Sequence, residues 1–290
     1  MALLIKEKKN KRPPFILTSP HSGVKFPDNF FENKIVNFDK EKLLMVSDLF
    51  VDELIENIRP DNLIKLYSQY SRSYIDLNRN ISEIDEKKVE DSFSVDHNFT
   101  NSGYANNGYG LIHTKTFDQK DIYKDRLSWK DIEYRINKIY KPWHINLRKK
   151  INNLAHHNGQ IFLIDFHSMP SEIFFGNKYD KKDIILGDLF GRSSNPKYTN
   201  ILKILFEEAG LNVGKNIPYQ GGFISKNYGS PSNGINAIQI EIRRDLYMNE
   251  LKYQKKENFK LIRDVYTELI DLINENIIEE SNLTNKIAAQ

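Results

Sequence analysis

The run Gln160-Ile161-Phe162-Leu163-Ile164-Asp165 is the feature that most narrows the fold. Four apolar residues in a row, entered from Gly159 and left through an acid, are too few for a helix and read as a strand buried on both faces. Similar short runs recur at 15–18, 62–67, 73–77, 183–186 and 234–242. Between them lie stretches of helical period: 41–58, 129–157 with a break near Pro142, 197–209 ending at Gly210, and a C-terminal amphipathic stretch over 249–280. Buried strands alternating with helices predict an α/β fold, with a mostly parallel or mixed central sheet flanked by helices. Residues 80–128 are polar, carry Gly103, Gly108 and Gly110, and break the pattern. An irregular excursion of that length suits a lid or a set of binding loops. With no repeat and no linker, the expectation is a single α/β hydrolase-sized domain over 1–290.

Composition removes several classes of function. The 42 basic and 39 acidic residues leave a net charge of +3, and no basic cluster is interleaved with aromatics, so no nucleic-acid partner is expected. The stretch Lys6–Pro14 reads as a solvated arm. No run approaches the roughly 18 apolar residues of a membrane helix, and Met1–Lys9 is too short in apolar character for a signal peptide, so no membrane partner and a cytoplasmic location are expected. There are no cysteines, so any metal must be held by His, Asp or Glu.

In α/β sheets, sites gather at the carboxyl ends of strands. Two such ends carry a histidine: Thr18-Ser19-Pro20-His21-Ser22-Gly23 and Asp165-Phe166-His167-Ser168. Each histidine alone reads first as a hydrogen-bonded loop residue; the two together fit a histidine-based metal site completed by a carboxylate. Asp48 falls within the apolar stripe of Leu44, Val51 and Ile55 if 41–58 is one helix, where an ionised acid needs a partner or a metal, or else it lies at the stripe's edge in water. In the strand ending Ile240-Glu241-Ile242-Arg243, Glu241 is placed either as a general base beside a metal-bound water or as an ion-pair partner of Arg243. Arg72, Asp76, Asn78 and Arg79 surround one further run. Arg79 with Asn78 suits a substrate carboxylate, and equally Arg79 can pair with Asp76.

These pieces, in order, closely resemble the N-formylglutamate amidohydrolase family: PHSG at 20–23, SRSYIDLNR at 71–79, DFHSMP at 165–170, GDLFGRS at 187–193, PYQGGFISKNYG at 218–229 and AIQIEIRRDLYM at 237–248. The resemblance spans about residues 13–250. It implies the zinc-carboxypeptidase-like (phosphorylase/hydrolase-like) architecture that the family shares with aspartoacylase-type deacylases. It also implies one Zn²⁺ per chain, or another divalent ion, on His21, Asp48 and His167. Glu241 takes the place of the catalytic glutamate, and Arg72 that of the arginine that polarises the scissile carbonyl. Asn78 and Arg79 match the pair that binds a substrate carboxylate, with Arg192 and Arg243 as candidates for a second one. The implied reaction is hydrolysis of the amide of an N-acyl amino acid, N-formyl-L-glutamate first. The alternatives are another N-acyl amino acid or small peptide as substrate, or a non-catalytic amino-acid-binding relative. The His-x-x-Glu ligand pair of the relatives is missing, since Ser22, Gly23 and Val24 follow His21. A carboxylate distant in sequence must replace it, and Asp48 is the nominee.

Overall fold

The computed structural model describes residues 3–7, 15–32, 35–58, 63–90, 99–100, 102–156, 159–177, 179–268 and 271–272. They fall into two compact units, one of Met1–Leu4, Pro20–Leu49 and Tyr67–Lys149, the other of Ile5–Ser19, Phe50–Leu66 and Lys150–Gln290. Among the described residues no helix is long and apolar enough to cross a membrane.

The second unit is organised by a sheet. Its strands are β1 (Leu3–Glu7), β2 (Phe15–Ser19), β3 (Leu63–Ser68), β4 (Ile161–Met169), β5 (Ile184–Gly187), β6 (Val213–Lys215) and β7 (Ile235–Arg243), in the order β1-β3-β2-β4-β7-β5-β6. β4 is parallel to both β2 and β7, while β5 runs antiparallel to β7 and parallel to β6. The sheet is therefore mixed, as expected. Central strands covered on both faces must be apolar on both, and all nine residues of β4 are buried. The helix Pro196–Glu208 begins at Asn195, whose side chain caps the Lys197 amide, with Pro196 in the first turn where its missing N–H costs nothing. It ends at Gly210 with φ +82°, the left-handed residue that glycine adopts without strain. From it Phe206 meets Tyr266 edge-on at 5.9 Å, and Tyr266 meets Phe166 of β4 at 5.4 Å, which ties two helices to one face of the sheet.

Outside the helix that begins at Trp129, the first unit has little regular structure and is held by side chains. Arg135 is buried, donates from Nη1 to the Tyr74 carbonyl (2.9 Å) and the Tyr123 hydroxyl (3.0 Å), and lies 4.1 Å from the centre of the Tyr74 ring. Phe26, Phe30 and Phe31 pack round the same cluster. A guanidinium whose terminal nitrogens are met by oxygen and whose face is met by rings is a stable way to anchor loops that have no ladder of their own.

Four expectations about elements change. The helix over 41–58 is two pieces, Lys40–Leu44 and Val51–Leu54, separated by turns over 45–50 whose last residue, Phe50, is left-handed at φ 67°. Asp48 therefore sits in a turn and not on a helical stripe. The run 73–77 is a turn closed by Ile75 N donating to Ser71 O, not a strand. The helical stretch over 129–157 is continuous: a wider five-residue π segment, Ile136–Tyr140, joins Trp129–Arg135 to Lys141–Ala155 and accommodates the missing N–H of Pro142. The C-terminal stretch first forms a small hairpin of Met248–Asn249 and Gln254–Lys255, and becomes helical from 259. Its part beyond 272, like 91–98 of the excursion, lies outside the described residues.

Candidate functional site

In the first unit the chain leaves β2 and turns at Pro20-His21-Ser22-Gly23. Gly23 is required there: a Cβ on it would come within 2.3 Å of the Tyr70 carbonyl oxygen. That close approach is locked by Lys25 N donating to Gln69 O (2.9 Å) and Ser71 N donating to Lys25 O (3.0 Å). His21 is thereby laid against the segment that carries Arg72 and Asp76. Asp48 joins from its own turn, where its amide donates to the His21 carbonyl at 3.0 Å, and its Oδ2 stands 3.4 Å from His21 Nδ1. His21 and Asp48 are 2% and 1% exposed, so neither is a surface group.

Asp76 is wholly buried and serves as the hub. Its Oδ1 is 2.7 Å from His21 Nε2 and accepts from the Asn78 amide at 2.8 Å. Its Oδ2 accepts from Arg72 Nη2 at 2.8 Å and Nε at 3.2 Å, and is 3.2 Å from His113 Nε2. Burial alone drives its pKa up, but the charges of Arg72, His21 and Arg79 and the His113 hydrogen bond outweigh that and hold it well below the usual carboxylate range. His113 goes the other way: burial pushes it down to about 4, against the pull of Asp76. Arg79 lies alongside, with Nε donating to Tyr109 O at 2.9 Å and its guanidinium 4.1 Å over the Tyr104 ring. Asn78 is buried beside it, and Tyr140 donates to the Arg79 carbonyl at 2.8 Å.

In the second unit the polar groups follow strand geometry. Asp165 and His167 are two apart on β4 and so share a face, with His167 Nε2 2.8 Å from Asp165 Oδ2. Asp165 Oδ1 accepts from Thr18 Oγ1 at 2.6 Å, which links the pair to β2 through the register Thr18–Asp165. On β7, Glu241 stands opposite His167 in the register, and its Oε1 accepts from Gln239 Nε2 at 2.8 Å.

Among the described residues His21, Asp48 and His167 form one buried group, with a ligand atom of each within 4.8 Å of the others. Two imidazoles and a carboxylate, deeply buried and with their outer atoms held by hydrogen bonds, fit a divalent ion of the Zn²⁺ type, whose catalytic sites take three protein ligands. The remaining arginines are placed otherwise. Arg243 is engaged by Asp183 at 2.7 Å, by Asp245 at 2.5 Å and by the Lys182 carbonyl at 3.0 Å, so its charge is already paired. Arg192 is exposed and donates to Leu189 O. Its neighbour Ser193 bonds Ala237, four residues before Glu241 on β7, or roughly 13 Å back along the strand. Arg192 thus lies away from Glu241, whereas Arg243 is two residues on from it along β7 and already paired. The sequence reading gave no role to His113 or Gln239, and Asp165 only a place in a polar cluster. Asp165 was legible as the same-face neighbour of His167, whereas no local pattern marks His113.

A family model described as N-formylglutamate amidohydrolase matches residues 13–248. An N-formylglutamate deformylase of Pseudomonas putida is 27% identical over 244 residues, covering 82% of this chain and 83% of that protein. One from Pseudomonas aeruginosa is 24% identical over 83% and 85% of the two chains. Among solved structures, an N-formylglutamate amidohydrolase from Ralstonia eutropha JMP134 superposes with a TM-score of 0.88 at 27% identity, over 96% of this chain and 99% of that one. A protein from Agrobacterium tumefaciens at 17% identity and TM-score 0.64 shares the fold.

Proposed function

This chain belongs to the N-formylglutamate amidohydrolase family and is a hydrolase of amide bonds, and we propose that it cleaves N-formyl-L-glutamate to formate and glutamate at a metal held by His21, Asp48 and His167. The observation that carries the reading is the buried His/Asp/His group, found in a chain whose relatives are named for this reaction.

Once bound, a divalent ion supplies Lewis acidity and a water acidic enough to be deprotonated near neutral pH. The chain's own residues do the rest. Glu241, fixed through Oε1 by Gln239, takes the proton of the attacking water and delivers it to the amine nitrogen as the C–N bond breaks. Arg72 faces the oxygen on which negative charge builds, a role for which loss of one donor costs about 3–4 kcal/mol. It is aimed by two hydrogen bonds to Asp76. Arg79, stacked on Tyr104 and pinned by Tyr109 O, binds a substrate carboxylate with Asn78. Arg243 is left out of this scheme because Asp183 and Asp245 pair with it, and Arg192 because its exposed side chain donates to Leu189 O.

The test is formate release from N-formyl-L-glutamate by the zinc-loaded protein and by its Glu241→Gln variant. The variant is expected to lose roughly 100- to 10,000-fold in kcat, the range for a positioned general base, while still binding zinc. Equal turnover by the two proteins overturns the role of Glu241. No formate from the loaded protein, with release from another N-acyl amino acid, moves the substrate and keeps the chemistry.

A further inference from the structure

We infer that Asp76 is a positioning residue of the metal centre: it holds His21 in the tautomer with the proton on Nε2, so that Nδ1 is the nitrogen offered to the ion, and it aims Arg72 with its other oxygen. The inference rests on the reading of His21 as a metal ligand.

Asp76 Oδ1 already accepts from the Asn78 amide at 2.8 Å, and Oδ2 from Arg72 at 2.8 and 3.2 Å. A carboxylate taking donors on both oxygens from a guanidinium and a backbone amide acts as an acceptor. The His21 nitrogen facing it at 2.7 Å, Nε2, is then the donor. In a neutral imidazole that leaves the lone pair on Nδ1, which is the atom turned toward Asp48 at 3.4 Å. His113 Nε2, 3.2 Å from Oδ2, completes the ring of donors and is buried with it. The arrangement recurs independently on the sheet. Asp165 meets His167 through the same ring atom, Nε2, at 2.8 Å, and is itself steadied by Thr18. A metal-binding imidazole characteristically donates its second nitrogen to such a carboxylate, which fixes the tautomer and strengthens the ligand.

A plain structural role for Asp76, as the buried counterion of Arg72, would predict the same ion pair and no influence on the metal. The two are separated by measurements that do not need turnover. In the metal-free wild-type protein, labelled with ¹⁵N and held well above the pH at which imidazole titrates, long-range ¹⁵N–¹H correlations report each ring's tautomer. The His21 signals are assigned by their absence in His21→Ala. The expected result is Nε2–H for His21; Nδ1–H overturns the inference, and this arm needs no change at Asp76. Competition with a chelator then gives the zinc affinity of Asp76→Asn, expected to fall by about 10- to 100-fold, with a smaller loss than in His21→Ala. Should Asp76→Asn bind zinc as tightly as wild type while His21→Ala does not, the ligand assignment stands and the positioning role falls. Wild-type affinity in His21→Ala removes both.

Discussion

The two histidines of the candidate metal centre are supported by the same chemistry and by very different architecture. His167 and its carboxylate Asp165 lie two residues apart on β4, and the strand's period alone puts them on one face. His21 and its carboxylate Asp76 are 55 residues apart, in two turns that meet because Gly23 has no side chain. The strand version is local and needs only pairing to exist. The loop version depends on a close backbone contact, two backbone hydrogen bonds and the half-buried Arg72 acting together. One is held by the sheet's ladder, the other by a polar network whose every member must be satisfied.

That difference can be broken in several ways. The largest effect falls on metal affinity: His21→Ala and His167→Ala each remove one of three donors, and both should cost well over the 100-fold that an outer carboxylate contributes. Equilibrium dialysis with zinc checks this, and a variant that binds as wild type removes its histidine from the site.

Acid should strike the loop side next. His113 has a folded pKa of about 4 against an ordinary value of 6.5, so it is neutral when buried. Its contribution to stability is present above pH 6.5 and is lost as pH falls toward 4, up to about 3 kcal/mol from the gap between the two values. Melting curves of wild type and His113→Gln across that range should converge on acidification; parallel curves would show that His113 is not the group responsible.

The outer carboxylates give the third comparison. Asp165→Asn and Asp76→Asn should weaken zinc by similar amounts, about 10- to 100-fold. Only Asp76→Asn should also lower kcat in zinc-saturated protein, because it alone releases Arg72. Equal kcat losses in the two variants would mean that Arg72 is not aimed through Asp76.

The smallest effect belongs to Asp52, in the helix Val51–Leu54 of the sheet-bearing unit. Burial, helped by the charge of Glu53, raises its pKa from 3.8 to about 6. Its folded pKa exceeds the unfolded one, so the penalty of ionising it grows from about pH 4 to pH 6 and is full above that. Asp52→Asn should stabilise the protein at pH 8 by about 1–2 kcal/mol after allowing for its partial exposure, and by nothing at pH 4. Burial thus makes acid costly at His113 and alkali costly at Asp52. A thermal shift that is the same at both pH values would exclude Asp52 as its source.

What the sequence determined by itself is what periodicity and local chemistry carry. The strands at 15–18, 160–165, 183–186 and 234–242 appear as β2, β4, β5 and β7, because short apolar runs between turns have one way to be buried. The order of those strands put His21, His167 and Glu241 at or near the carboxyl ends where α/β sheets keep their sites. The helical stripe that is one of two reasons to single out Asp48, beside the family resemblance, does not form; Asp48 is buried by a turn whose left-handed Phe50 has no sequence signature, since phenylalanine seldom adopts that conformation. Arg243 reads from the sequence as a candidate clamp for a second substrate carboxylate; in the structure it pairs with Asp245 two residues on and with Asp183, a distant partner that no spacing along the chain marks. The hub at Asp76 was likewise decided by tertiary structure. Arg72 and Asn78 are its neighbours in sequence, but His21 and His113 come from distant segments, and contacts between segments that far apart are set by what the fold can bury and satisfy, not by any spacing along the chain.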